Sequence, residues 1–75
     1  MPIVLKCFAS LARCSPPDAE AYPLAPGETV ASLVARLGIP PDELKLVFVN
    51  GNHVELTALL RDGDRVGLFP AVGGG

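Results

Sequence analysis

The chain lacks what several large classes of function require. Its six basic residues, Lys6, Arg13, Arg36, Lys45, Arg61 and Arg65, are scattered, with no cluster anywhere. Tracking a phosphate backbone needs concentrated positive charge, so nucleic acid is not an expected partner. Only two cysteines occur, Cys7 and Cys14, too few and too far apart for a metal-site pattern, and no metal is expected. Cys7 falls in an apolar run, where a thiol acts as a small hydrophobe. Cys14 falls in a loop, with no neighbour that would lower its pKa. The single histidine, His53, has no second ligand type spaced around it and reads as a surface residue. No GxxxxGK[ST] phosphate loop is present, so the chain is not expected to bind ATP itself. No apolar run is long enough to span a bilayer, and residues 1–8 do not look like a secretory signal. No membrane association is expected, and the cytoplasm is the default location.

What remains is a chain of 75 residues, 49% hydrophobic and 19% charged, with a formal net charge of −2. That suits one compact domain with a small core. The mildly acidic balance would suit a partner with a basic docking face.

Ile3, Leu5 and Cys7 alternate with Val4, Lys6 and Phe8, which predicts a strand with the first set inward. Ser15-Pro16-Pro17-Asp18 breaks the chain. Ala21, Tyr22 and Leu24 are expected to form a short second strand at a sheet edge, limited by Pro23 and Pro26. Thr29 is a candidate N-cap. Val30, Leu33, Val34 and Leu37 follow at helical spacing, then Gly38 and Pro40-Pro41 stop the turn, so one amphipathic helix is predicted over Val30–Leu37. Residues 46–49 read as a strand ending in Asn50-Gly51, a type I′ hairpin signal, with a short return over residues 53–55. Leu59 and Leu60 are expected to plug the core. Asp62-Gly63-Asp64 reads as a turn rather than as paired catalytic carboxylates. The last strand covers residues 65–69, with Val66 and Leu68 on one face and Arg65, Gly67 and Phe69 on the other. The predicted order is β-β-α-β-β-β, an α+β domain with one helix on one face of the sheet. Phe8 and Phe69 then point away from the helix. Val47 and Val49 inward would put Phe48 beside them, making an outward aromatic docking patch.

The chain closes on Leu68-Phe69-Pro70-Ala71-Val72-Gly73-Gly74-Gly75. Glycines without Cβ atoms make a thin arm that can thread a narrow channel in another protein. The carboxylate at its tip is suited to acyl transfer once activated. With Val49-Asn50-Gly51, the run Leu60-Arg61-Asp62-Gly63-Asp64-Arg65-Val66, helix start Gly27-Glu28-Thr29-Val30 and helix end Leu37-Gly38, this segment resembles the family of the molybdopterin synthase small subunit and the thiamine-pathway sulfur carrier. Phe69-Pro70 is more similar to the molybdopterin branch.

The resemblance implies a ubiquitin-like β-grasp fold, a mixed sheet of 4-5 strands whose first and last strands pair in parallel. It implies a domain over residues 1–72 and a flexible glycine tail over 73–75. It also implies a sulfur carrier whose Gly75 carboxylate is adenylated by an E1-like partner, which uses ATP, and then converted to a thiocarboxylate. A sulfur-accepting synthase large subunit would be the second partner, and the carrier would be a co-substrate rather than a stand-alone enzyme. Phe48, Phe69, Pro70, Val72, Gly73 and Gly74 are the expected partner-binding residues. The residues leave open a thiamine-type or other metabolite carrier, a ubiquitin-like protein modifier, and a non-covalent β-grasp interaction domain.

Overall fold

The computed structural model describes residues 2–70. Four strands and one α-helix lie in the order β1 (Val4–Cys7), α1 (Val30–Leu37), β2 (Leu44–Val49), β3 (Asn52–His53) and β4 (Arg65–Pro70). The strands form one mixed sheet in the order β1-β4-β2-β3. β1 and β4 pair in parallel, Leu5 opposite Val66 and Cys7 opposite Leu68, while β2 is antiparallel to both β4 and β3. A mixed four-stranded sheet grasping one helix is the ubiquitin-like β-grasp arrangement.

Local chemistry sets each element. Thr29 caps α1: its Oγ1 accepts from the Ser32 N–H at 3.2 Å, and the Thr29 N–H donates to Ser32 Oγ at 2.9 Å. Serine here takes the reciprocal position usually held by Glu or Gln in a capping box. Gly38, at φ 74°, ends the helix in the left-handed conformation that a Cβ disfavours. Asn50 and Gly51 have φ of 54° and 83°, and the two-residue turn sets Val49 opposite Asn52 and Phe48 opposite His53.

The core lies between α1 and one face of the sheet. Ile3, Leu5, Val47, Val66 and Leu68 meet Val30, Leu33 and Val34, and each is almost wholly buried. Burying one such side chain contributes about 1.5–3 kcal/mol, so a core this small depends on every member. Two members were not expected from the sequence. Leu11 is fully buried from the 3-10 turn Ala9–Cys14, and Ile39 is buried just past the helix end.

Several expectations are corrected. The second strand does not form. Residues Ala19–Ala21 make a 3-10 turn, and only one antiparallel bridge, Ile3 to Tyr22, joins this segment to β1. Pro23 follows at once and has no N–H to extend the ladder, while Pro16-Pro17 constrain the approach. Cys14 closes a 3-10 turn rather than sitting in an irregular loop. The return strand is Asn52–His53, although the Val54 N–H still donates to Val47 O at 3.0 Å. Leu60 is buried but Leu59 is 65% exposed, because Leu59 takes part through a backbone bridge to Thr29 that turns its side chain outward.

In place of the missing strand, Glu28 holds the crossover to the helix. This carboxylate is 4% exposed. It accepts from Arg36 at 2.7 Å, from Ser32 Oγ at 3.0 Å and from the Ala25 N–H at 3.1 Å. Arg36 also donates to Pro23 O and lies over the Tyr22 ring, 5.0 Å from its centroid.

Candidate functional site

The surface of interest is the sheet face opposite α1. Strand alternation builds it. In β4, Val66, Leu68 and Pro70 turn to the core, so Arg65, Gly67 and Phe69 turn away. In β2, Val47 turns inward and Phe48 outward. A bulge between Leu44 and Leu46, with Lys45 as the extra residue, shifts the start of β2 against β4. Phe8 follows β1 directly, and its N–H donates to Leu68 O at 3.0 Å, which holds it alongside β4.

Three aromatic rings therefore meet on this face. Phe8 and Phe69 stack with centroids 4.3 Å apart and planes 5° from parallel. Phe48 meets Phe69 edge-on at 5.6 Å, with an interplanar angle of 80°. Offset stacks and edge contacts are the favoured aromatic geometries, so the rings support one another without a lid. His53 approaches Phe48 at 5.7 Å. His53 is exposed, as the sequence leads one to expect, and the two-residue Asn50-Gly51 turn sets it opposite Phe48.

Phe48 and Phe69, two of the sequence-derived partner-binding residues, are thus brought together, with Phe8 between Phe69 and the edge of the sheet. Pro70 is not part of the patch. It is buried on the helix side and paired with Leu44, as the alternation of β4 requires. Val72, Gly73, Gly74 and Gly75 lie outside the described residues. Covalent geometry limits five extended residues to about 17 Å.

The remaining chemistry is sparse. Burial pushes the Cys7 thiol above its ordinary pKa, the neighbouring Cys14 adds to the rise, and a hydrogen bond with Ser15 partly offsets it. A thiol held protonated is a poor nucleophile. Among the described residues no three His, Cys, Asp or Glu side chains gather as metal ligands. Among them, too, no helix is long and apolar enough to cross a membrane. Asp64 serves the turn: its carboxylate accepts from the Arg61 N–H at 2.9 Å and from Asn50 Nδ2 at 3.0 Å.

A sequence model described as the ThiS family matches residues 5–75 of the chain. Among solved structures, SAMP1 from Haloferax volcanii, a ubiquitin-like small archaeal modifier protein, is similar along its full length. It covers 100% of both chains with a TM-score of 0.69 and 26% sequence identity. A comparison with curated proteins gave no significant match.

Proposed function

This chain belongs to the ThiS family of ubiquitin-like carriers that work with E1-like enzymes, and from that premise we propose that it carries sulfur as a thiocarboxylate on Gly75, for molybdopterin synthesis. The observation that carries the reading is the family match, which runs through the final glycines to residue 75. The aromatic face beside the end of β4 supports it, because a partner docked there has the tail within reach.

The chemistry follows from the weakness of a carboxylate as an acyl donor. A Gly75 carboxylate oxygen attacks the α-phosphorus of ATP in the E1-like partner, and pyrophosphate leaves. The acyl-adenylate then has AMP as its leaving group. A hydrosulfide-level sulfur nucleophile adds to the carbonyl, AMP departs with the former carboxylate oxygen, and a thiocarboxylate remains. The carrier's part is to present the carboxylate on a narrow arm. The Phe8, Phe48 and Phe69 face holds the body of the domain against first the activating enzyme and then the sulfur-accepting subunit. ATP and the sulfur source belong to the partners.

Intact-mass spectrometry tests this on protein from its native host, before and after reaction with the host's adenylating enzyme, ATP and a sulfur source. The expected result is replacement of one oxygen by sulfur, mapped to Gly75. No such species in the presence of a demonstrably active enzyme would overturn the reading.

The likeness to SAMP1 favours a second reading, in which the activated Gly75 is joined to lysines of other proteins. Incubation with host lysate and ATP separates the two. A modifier produces heavier isopeptide-linked adducts, whereas a dedicated carrier produces only the thiocarboxylate.

A further inference from the structure

The centre of the outer face has no side chain. Lys6, Gly67 and Phe48 stand in one row across β1, β4 and β2, while Phe69 and Arg65 flank Gly67 along β4. A depression of about 340 Å³ opens over Gly67, walled by Phe8, Phe48 and Phe69 and bordered by Lys6 and Arg65. A Cβ at Gly67 would meet the Phe8 and Phe69 rings at 3.5 Å each, an ordinary contact. Gly67 is also not among the residues with positive φ. Neither its backbone nor crowding demands glycine, and its missing side chain is what leaves the pit open.

The rim has one sign of charge. Lys6 and Arg65 are exposed. Among the described residues neither has an ion pair, and no acidic side chain lines the pit. Asp64, next to Arg65 in sequence, is engaged by Asn50 and the Arg61 N–H. A chain with a net charge of −2 thus presents a locally positive docking face. This reverses the partner charge that the overall balance implied.

We propose that this face recognises an acidic partner surface, which inserts one apolar side chain over Gly67 and sets carboxylates against Lys6 and Arg65. The inference rests on reading the face as the docking face of the carrier, with the E1-like enzyme as the partner. A desolvated apolar knob at the centre supplies affinity, and the rim charges set approach and register. Attraction between exposed charges is screened by salt, so encounter slows as ionic strength rises.

The test uses the E1-like adenylating enzyme of the native host as the probe. Binding is followed by calorimetry at low and high salt, and adenylation of Gly75 is followed in parallel. Lys6→Glu with Arg65→Glu is expected to weaken binding by about tenfold or more and to reverse its salt dependence, because the repulsion it introduces is itself screened by salt. Gly67→Leu, which fills the pit, is expected to weaken it comparably, whereas Lys45→Glu, away from the pit, leaves it unchanged. Both rim residues are exposed, and circular dichroism confirms that each variant is folded. Unchanged affinity and salt dependence in the charge-reversed variant, with normal adenylation of the parent, would overturn the docking proposal alone. Charge-sensitive binding without adenylation would support the docking proposal and overturn the carrier reading. Absence of binding by the parent protein would overturn both.

Discussion

Phe8 and Phe69 stack face to face at 4.3 Å although they come from opposite ends of the chain. The parallel pairing of β1 with β4 brings them together, so this aromatic face exists only when the sheet is closed. Phe48→Ser with Phe69→Ser is expected to reduce partner affinity by more than about tenfold, as truncation of central aromatic anchors does. The double variant should keep its fold, because these rings lie outside the core. Calorimetric titration, with a circular dichroism spectrum of the variant, checks both parts.

Arg36 neutralises the one buried carboxylate among the described residues, Glu28. Arg36→Ala leaves that charge buried with only neutral donors. The expected loss is about 2 kcal/mol, below the range for fully buried pairs because Arg36 is itself partly exposed. Arg13→Ala breaks a pair with Glu43 in which both side chains face solvent, and should shift the unfolding midpoint little. Urea titration of the two variants side by side makes the comparison.

Leu11→Ala should destabilise the domain by about 2–4 kcal/mol, since Leu11 is fully buried and its removal leaves a cavity. Leu59→Ala should cost less than about 0.5 kcal/mol, because that side chain is already in water. Thermal melts of both variants decide whether the 3-10 turn Ala9–Cys14 belongs to the core.

The raised pKa of Cys7 makes a prediction with a definite sign. Burial keeps this thiol protonated in the folded chain at a pH where the unfolded chain has begun to lose the proton. The corresponding stability is fully present below the ordinary thiol pKa. It is lost as pH rises from there through the raised folded value. Denaturation midpoints from neutral to alkaline pH should therefore fall less steeply in Cys7→Ala than in the parent. Equal slopes would show that the thiol titrates alike in both states.

Much of the fold was legible because short-range chemistry wrote it. The stripe of Val30, Leu33 and Val34, the Thr29 cap and the Gly38 stop lie within ten consecutive residues, and helix formation depends on little else. Alternation in β1 and β4 identified the inward residues for the same reason. The Asn50-Gly51 turn set the register of β3 on β2, and with it the approach of His53 to Phe48. The missing second strand shows where such signals fail. Ala21, Tyr22 and Leu24 have enough apolar character for a strand, but Pro23 between them has no N–H, which leaves room for a single bridge at Tyr22.

The candidate site divides along the same line. The sequence alone determined that Phe48 and Phe69 face outward and that the chain carries a glycine run after its last strand, because period-two alternation and composition are local properties. Tertiary structure decided that Phe8 joins them, that Gly67 lies at their centre, and that Lys6 and Arg65 form a basic rim on an acidic protein. It also decided that Pro70 turns to the core, that Leu60 rather than Leu59 is buried, and that Glu28 is held by Arg36. Those outcomes depend on register between β1, β4 and β2, which are distant in sequence. Register is set by how the whole apolar face closes over one helix, a property that no short stretch of the chain contains.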